Sequence, residues 1–164
     1  MPLAVNIRSA ASDDWPRIWA ILEPVIRAGD TYALPQSWHE DQAQTYWFQT
    51  GNEVFVAEVD DSLVGTYYLR PNARGGGSHV ANCGYMTAPA ARGKGVARAM
   101  CLHSLAHAKA RGFHAMQFNF VVASNAAAIA LWTDLGFSEI GRLPQAFRHP
   151  TLGLIDALVM YRLL

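Results

Sequence analysis

The chain has 164 residues, enough for one domain with a sizeable hydrophobic core. Apolar residues make up 51% of it and charged residues 16%, a globular rather than a disordered composition. Thirteen basic residues balance thirteen acidic ones, which argues against nucleic acid or an anionic membrane as the main partner. The two cysteines, Cys83 and Cys101, do not by themselves form a disulfide framework or a metal site, and we expect no metal.

No stretch of the sequence reads as a targeting or membrane segment. The N-terminal residues lack the basic end and apolar core of a signal peptide. No apolar run approaches the roughly 18 residues that a membrane-spanning helix needs. We therefore expect a soluble, cytoplasmic protein.

The N-terminal part predicts one strand followed by two helices. Residues 4–10 alternate in polarity and read as a strand with Val5 and Ile7 directed inward. Ser12 is expected to cap a helix that extends to about Arg27, because the acidic residues after it complement the helix dipole. After a loop, Ser37 is expected to cap the second helix.

The middle of the chain predicts a β-hairpin, then a strand, a helix and another strand. Two β-rich runs flank the turn at residues 60–62. The two later strands span residues 80–87 and 114–122. The helix over 93–112 should end at Gly112. Its expected core-facing residues are Val96, Met100, Leu102, Leu105 and Ala106.

The C-terminal part predicts a helix capped at Ser124 or Asn125 and two last strands. The strands, residues 138–143 and 154–163, enclose an expected loop at 144–153. The resulting order, β-α-α-β-β-β-α-β-α-β-β, predicts an α/β fold with a mostly antiparallel sheet and helices on both faces. No repeat or linker interrupts it, so residues 1–164 read as a single domain.

The stretch "APAARGKGVARAM" joins a strand that ends at Met86 or Thr87 to a helix that begins near Gly95. N–H groups without helical partners lie at the positive end of a helix dipole, where an anion is favoured. Glycine at 93 and 95 leaves room for a diphosphate. The pattern matches neither the Walker motif nor the dinucleotide motif. Alone, it fits an anion site and a tight turn into a core helix equally well.

This stretch resembles the acyl-CoA loop, Arg/Gln-x-x-Gly-x-Gly/Ala, of the GCN5-related N-acetyltransferase (GNAT) family, with Arg92, Gly95 and Ala97 at its fixed positions. Residues 125–137, "NAAAIALWTDLGF", resemble the second signature of the family, Asn-x-x-Ala-x-x-Leu-Tyr-x-x-Leu-Gly-Phe. The closing "DALVMYRLL" is similar to its last strand. The order of elements also fits over nearly the whole chain. Residues 79–95 resemble the corresponding segment of small-molecule members that acetylate amino or imino acids.

The resemblance implies a mixed sheet of six to seven strands with a V-shaped split between strands 4 and 5. Acetyl-CoA, as co-substrate, would lie in this split. A backbone N–H near Met86 would face the thioester oxygen and stabilise the charge that develops there. The implied cofactor-binding residues are Met86, Thr87, Arg92, Gly93, Lys94, Gly95, Val96, Ala97, Asn125 and Trp132.

The chain departs from the family pattern at the usual acid and at the usual base. Trp132 stands where the family often has a tyrosine that protonates the leaving thiolate, and an indole N–H cannot act as an acid. Tyr85 is a weak substitute. In the fourth strand a glutamate base is replaced by Asn82, which could orient the acceptor amine or could simply cap backbone beside a bulge that the family leads us to expect. The candidate catalytic residues are therefore Asn82, Tyr85 and Met86.

The acceptor pocket is expected between loops 28–38 and 144–153 and the third strand. Tyr67 and Tyr68 alternate along that strand, so one of them should face the cleft. Arg148 or Arg70 could bind a carboxylate. The candidate substrate residues are Thr31, Tyr32, Tyr67, Phe147 and Arg148.

The function that follows from the resemblance is transfer of an acetyl group from acetyl-CoA to the amine of a small molecule, by direct attack in a ternary complex. The acceptor would be a compound such as an amino or imino acid or a toxic analogue. Two alternatives stay open: acetylation of protein N-termini, and a catalytically silent acyl-CoA-binding domain. Family members are often homodimers, so a homodimer is one expected assembly.

Overall fold

Residues 3–164, the part that the computed structural model describes, form seven strands and four α-helices in the predicted order. The strands are β1 (Asn6–Ser9), β2 (Glu53–Val59), β3 (Ser62–Pro71), β4 (Val80–Thr87), β5 (Ala115–Val122), β6 (Ser138–His149) and β7 (Gly153–Leu163). The helices are α1 (Trp15–Ala28), α2 (Glu40–Trp47), α3 (Val96–Ala110) and α4 (Ala126–Asp134). Short 3-10 turns span Ser12–Asp14, Gly75–Gly77 and Pro89–Ala91.

The strands form one sheet in the order β1-β2-β3-β4-β5-β7-β6. Neighbours are antiparallel except β4 and β5, which run parallel. β4 and β5 pair only at Val80↔Ala115 and Ala81↔Met116, near their starts, and diverge beyond them. This confirms the predicted mixed sheet with helices around it and its split between strands 4 and 5.

A hydrophobic core lies on each face of the sheet. On one face α1 and α2 bury Ile18 and Trp47 against the sheet, each fully inaccessible to solvent. On the other face α3 and α4 pack Met100 and Trp132 over β4 and β5. The two cores therefore cover both faces of the sheet. Within residues 3–164 no helix is long and apolar enough to cross a membrane.

The prediction that Ser12 caps the first helix is wrong. Ser12 lies in a 3-10 turn, and α1 begins three residues later. The group that fixes this start is the buried Asp14, whose carboxylate accepts a 2.7 Å hydrogen bond from the Ala11 N–H and binds the guanidinium groups of Arg8 and Arg17. The hydrogen bonds and ion pairs of the buried Asp14 carboxylate therefore determine where the helix starts, and the exposed hydroxyl of Ser12 does not.

Ser37 does not cap the second helix either. α2 begins at Glu40, after His39, and the Gln42 side chain accepts a 2.9 Å hydrogen bond from the His39 N–H. A glutamine three residues past the cap satisfies one of the unpaired N–H groups at a helix start. The sequence favoured Ser37 because serine is a common cap, but the observed cap is His39, two residues later.

In α3, Leu102 and Ala106 point outward, against expectation. Leu102 is 51% exposed, whereas Met100 and Leu105 are buried. The buried stripe of α3 instead continues through Ala108. The helix is slightly rotated from the predicted orientation, because a pattern rich in alanine sets the core face weakly.

The predicted loop at 144–153 is mostly strand. β6 continues to His149, and only residues 150–152 connect it to β7. The strand passes Pro144 through an irregularity in its pairing between Leu143 and Phe147. There Gln145 takes a φ of 52°, and its N–H donates to the Asp156 carboxylate at 2.9 Å. Such an irregularity lets a strand carry a proline that would otherwise end it.

Candidate active site

The backbone of β4 divides its polar groups between β3 and the split. At one end of β4, the Ala88 N–H donates a 2.8 Å hydrogen bond to the Val64 carbonyl on β3. At the other end, the Val80 carbonyl accepts a 2.7 Å hydrogen bond from the Asn72 N–H, just past β3. The pairing runs from Thr87 to Ala81 without a shift. Hydrogen-bonded and non-hydrogen-bonded pairs alternate in an antiparallel ladder. The N–H and carbonyl groups of the even-numbered residues of β4 therefore form hydrogen bonds with β3. The bulge expected in this strand is therefore not seen in its pairing with β3.

The odd-numbered residues of β4 direct their N–H and carbonyl groups into the split. The N–H of Met86 points toward β3, so the N–H groups near it that face the split are those of Tyr85 and Thr87. One group on this edge already has a partner: the Tyr85 carbonyl accepts a 2.7 Å hydrogen bond from the Tyr32 hydroxyl. The Tyr32 side chain thus ties the α1–α2 connection to β4.

A cavity of about 470 Å³, here called the loop cavity, lies between the end of β4, the turn before α3, and α4. Every residue predicted to bind acetyl-CoA lines it except Lys94, which faces a separate depression beside the β2–β3 hairpin. The lining residues among those predicted are Met86, Thr87, Arg92, Gly93, Gly95, Val96, Ala97, Asn125 and Trp132.

The start of α3 offers the loop cavity a row of N–H groups. None of the N–H groups of residues 93–98 donates to a backbone carbonyl of the described chain, and the first such bond runs from Ala99 to Gly95 at 3.0 Å. Gly93 and Gly95 have φ of 73° and 82°, and a Cβ built on either would have no neighbour within 4 Å. Free donors, a helix dipole and open space fit the diphosphate of acetyl-CoA.

Asn125 shows why α4 begins where it does. Its Oδ1 accepts a 3.3 Å hydrogen bond from the Ala128 N–H, so the asparagine caps the helix as predicted. Asn125 also lines the loop cavity. The cap therefore holds the amide at the edge of the cavity, where its Nδ2 can meet a ligand.

A second cavity, here called the split cavity, holds about 230 Å³ and lies where β4 and β5 part. Its walls come from the α1–α2 connection, α2, β3, β4, β5 and α4. It meets the loop cavity at residues common to both. These are Thr31, Tyr32, Tyr85, Asn125, Ala128 and Trp132. An acyl group carried in one cavity could thus meet a nucleophile held in the other.

Asn82 lies on the wall of the split cavity, with 6% of its surface exposed. Its Nδ2 donates to the Gln117 carbonyl on β5 at 2.9 Å, just past the last paired residues. Its Oδ1 has no hydrogen-bond partner within residues 3–164, yet it is not sealed from the cavity. The Asn82 side chain therefore joins β4 to β5 where the split begins, and its Oδ1 remains free to accept a hydrogen bond.

Tyr85 directs its ring away from the split cavity toward α3. Its hydroxyl lies 2.6 Å from Ser104 Oγ, and its ring centroid is 5.2 Å from that of Trp132. Burial raises the pKa of Tyr85 well above the usual value. A phenol that holds its proton and already has a hydrogen-bond partner is a poor proton donor, so the geometry favours a packing role for Tyr85 and Trp132.

Three residues expected to bind substrate lie away from both cavities. Tyr67 is completely buried on the α3 face, where its hydroxyl is 2.6 Å from His103 Nδ1. Phe147 is buried behind Phe120, with ring centroids 6.1 Å apart. Arg148 is exposed on β6 and lines neither cavity. Thr31 and Tyr32, by contrast, line both.

Two cavity residues, Tyr46 and Tyr68, were absent from the sequence-based set of substrate residues. Tyr68 rather than Tyr67 faces the split cavity, and its hydroxyl lies 3.3 Å from that of Tyr46. The alternation of the β2–β3 hairpin showed that one of Tyr67 and Tyr68 faces the cleft but not which one. Arg70, which shares the face of Tyr68, also lines the cavity.

The thiols do not offer a nucleophile. Cys83 and Cys101 are free and buried. Burial raises the pKa of Cys83 to about 12 and that of Cys101 to about 11, so both stay protonated at neutral pH. No three His, Cys, Asp or Glu side chains come together as metal ligands in the part of the chain that the structure describes.

Comparison with known proteins agrees with this geometry. The sequence profile of the Acetyltransferase (GNAT) family matches residues 8–137, which contain the split, the loop and α4. N-acetyltransferase aca1 of Schizosaccharomyces pombe is 30% identical over 153 residues, and the match covers 82% of this chain and 72% of that one.

Solved structures share the whole fold. A GCN5-related N-acetyltransferase from Kribbella flavida superimposes with a TM-score of 0.93 at 41% identity, covering 98% of both chains. Ribosomal-protein-alanine N-acetyltransferase from Brucella melitensis gives a TM-score of 0.84 at 27% identity, covering 97% of this chain and 99% of that one. The chain belongs to the GNAT family, and it is an acetyltransferase that uses acetyl-CoA as its co-substrate.

Proposed function

We propose that this chain, acting as one domain over residues 1–164, acetylates the amine of a small molecule held in the split cavity. The observation that carries the proposal is the size and position of that cavity. It holds about 230 Å³ and opens onto the loop cavity at Tyr85 and Trp132. Sites for drug-sized ligands typically hold about 300–1,000 Å³, so this one suits a smaller acceptor.

The loop cavity would hold acetyl-CoA through backbone groups. The free N–H groups of residues 93–98 would bind the diphosphate, and Arg92 adds a positive charge beside them. The odd-numbered edge of β4 would pair with the pantetheine arm. Acetyl-CoA supplies the activated acetyl group, and the chain positions it next to the split cavity.

The N–H groups of Tyr85 and Thr87 would act on the thioester. They face the split, and β4 is paired with β3 along its length, so they are fixed in direction before the substrate arrives. A preorganised donor aimed at an oxygen that gains negative charge lowers the barrier, because no solvent must reorganise. The Tyr85 N–H lies beside the carbonyl that Tyr32 already binds.

Asn82 would orient the acceptor amine. Its free Oδ1 can accept an N–H of the amine, while its Nδ2 remains bonded to β5. An amide cannot take a proton at neutral pH, so the amine must reach the site in its neutral form or lose a proton to water. The leaving thiolate, with a pKa near the ~8.5 of a free thiol, can depart without a side-chain acid.

Thiol release from acetyl-CoA with a panel of small amines tests the proposal. Asn82→Ala should lower kcat roughly 10- to 100-fold with little change in the KM for acetyl-CoA, because it removes one orienting hydrogen bond. Asn6→Ala, at an exposed position on β1, is the matched control and should leave both constants unchanged. An Asn82→Ala enzyme with full turnover would exclude this role.

A second candidate is acetylation of protein N-termini, which the similarity to the Brucella melitensis ribosomal-protein-alanine N-acetyltransferase favours. Short peptides and free amines separate the two functions. Faster turnover of peptides than of any free amine would favour the second candidate. Tight acetyl-CoA binding without turnover of either class would indicate a catalytically silent domain.

A further inference from the structure

We propose that the acceptor carries a carboxylate close to its amine and that Arg70 binds this carboxylate, an inference that rests on the proposed function. It names the substrate class, amino and imino acids, and one residue that determines specificity. The charge of the split cavity, the position of the Arg70 guanidinium and its relation to Asn82 support it independently.

The charge of the split cavity favours an anion. Arg70 is the only charged residue on its wall within residues 3–164, and no acidic side chain lines it. Arg70 also takes part in none of the ion pairs formed by that part of the chain, although most of its arginines do. A half-buried guanidinium without a counterion presents donors that match a carboxylate in two-point geometry.

The guanidinium is held near the reacting end of the cavity. Its carbon lies 5.0 Å from the ring centroid of Tyr68, a cation–π distance. The Tyr68 ring in turn lies over Gly84, where a Cβ would come within 2.6 Å of Cε1 of that ring. Gly84 directly precedes Tyr85, whose N–H faces the split. One aromatic ring therefore separates the positive charge from the backbone donor.

Arg70 also lies directly opposite Asn82 in the β3–β4 ladder. Opposed residues of a ladder project their side chains from the same face, with Cα atoms about 5.5 Å apart in hydrogen-bonded pairs. The side chains of Arg70 and Asn82 thus start from neighbouring positions on one face of the sheet, and both line the split cavity. Such a pair complements a molecule whose carboxylate and amine are only a few bonds apart, as in an amino or imino acid.

Matched pairs of amines test the inference directly. Each pair contains an amino or imino acid and the amine that lacks its carboxylate, for example proline with pyrrolidine and phenylalanine with 2-phenylethylamine. The wild-type enzyme should show a kcat/KM roughly 10- to 100-fold higher for the carboxylate member, the size of a charge-assisted hydrogen bond. Arg70→Gln should abolish this preference. It should change kcat/KM for the amine that lacks the carboxylate about 2-fold or less.

Arg70→Lys keeps the positive charge but lacks the planar guanidinium that binds a carboxylate at two points. It should therefore retain part of the preference for the amine that carries the carboxylate. Arg148→Gln, at an exposed position outside both cavities, is the control and should retain all of it. The KM for acetyl-CoA should be the same in all four proteins. Equal rates for the two members of each pair in the wild type, or an equal loss for both in Arg70→Gln, would overturn the inference and leave the proposed function standing.

A lack of turnover with every amine would instead contradict the proposed function. Calorimetric titration with N-acetylphenylalanine and its primary amide then tests Arg70 separately. The wild type should bind the carboxylate roughly 10-fold more tightly than the amide, and Arg70→Gln should bind the two equally. Equal binding of both ligands by the wild type would overturn the assignment of Arg70.

Discussion

The loop cavity and the split cavity are built in different ways. The loop cavity takes its polar groups mainly from the backbone of one continuous stretch, from the end of β4 to the first turn of α3. The split cavity takes its groups from side chains on six separate elements of the fold. Backbone donors depend on the local turn, whereas converging side chains depend on strand register and helix rotation. Substitutions should therefore affect the two cavities in distinguishable ways.

The largest expected effect comes from placing a negative charge in the loop cavity. Gly93→Asp should raise the KM for acetyl-CoA roughly 100-fold, because juxtaposed like charges cost several kcal/mol. The position has room for a side chain, since a Cβ there meets nothing within 4 Å. Steady-state kinetics with the acceptor held at saturation measures the change, and the preference among acceptors should stay the same.

Gly112→Asp is the matched control for backbone strain. Gly112 follows α3, has a φ of 88° and is equally open, but it lines neither cavity. Both variants should lose about 1–2 kcal/mol of unfolding free energy, since each forces a side chain into the left-handed region. If Gly112→Asp raised the KM for acetyl-CoA as much as Gly93→Asp, the effect would be strain and not occupation of a diphosphate site.

A smaller effect is expected at Tyr32, one of the residues that line both cavities. Tyr32→Phe removes the 2.7 Å hydrogen bond to the Tyr85 carbonyl and loosens the wall that the α1–α2 connection forms. We expect the KM for the acceptor to rise roughly 5- to 10-fold, the size of one hydrogen bond, with a smaller change for acetyl-CoA. Tyr161→Phe, on β7 and outside both cavities, serves as control. A larger change in the KM for acetyl-CoA than for the acceptor would contradict this division.

The smallest effect on kinetics should come from Asp14, which lies at the start of α1 and lines neither cavity. Asp14→Asn should lower the unfolding free energy by about 2 kcal/mol at pH 7, because it weakens the charged hydrogen bonds between a buried carboxylate and the partly exposed Arg8. At temperatures where the variant remains folded, its KM for acetyl-CoA and its KM for the acceptor should each change about 2-fold or less. The exposed Asp13→Asn is the control for charge and should have little effect on stability.

The contribution of Asp14 should also depend on pH with a defined sign. Hydrogen bonds from Arg8 hold the pKa of Asp14 well below its usual range. The stabilisation is therefore complete above the ordinary carboxyl pKa of ~3.9 and is lost as the pH falls from there toward the depressed value. Denaturant titrations at pH 7 and pH 3 should show a smaller difference between wild type and Asp14→Asn at the lower pH. A difference that does not change with pH would contradict this account.

The loop cavity could be predicted from the sequence because its signals are local. Gly93 and Gly95 fix the turn, and Asn125 caps α4 through a hydrogen bond to a residue only three positions away. The order of elements followed from polarity patterns and turn residues in the same way. Among the residues predicted to bind acetyl-CoA, Lys94 lines a separate depression and not the loop cavity.

The split cavity could be predicted only in outline. Choosing between Tyr67 and Tyr68 requires the register of β3 against β4, and locating the free N–H near Met86 requires knowing which residues of β4 pair with β3. Phe147 lies on β6 and outside both cavities, because Gln145 adopts an uncommon φ that lets the strand continue past Pro144. The register of β3 and β4 depends on contacts between residues far apart in sequence, where a shift of one residue reverses the face.

The parting of β4 from β5 also leaves two unpaired strand edges facing each other inside a single sheet. An exposed strand edge can pair with a strand of another chain and cause aggregation, and proteins limit this by covering the edge. Here α4 and the Tyr32 side chain narrow the approach. In the binding mode proposed above, the pantetheine arm of acetyl-CoA would pair with the open edge of β4 and take the place of an eighth strand. The amide protons of Tyr85 and Thr87 should then exchange with solvent far more slowly once acetyl-CoA is bound.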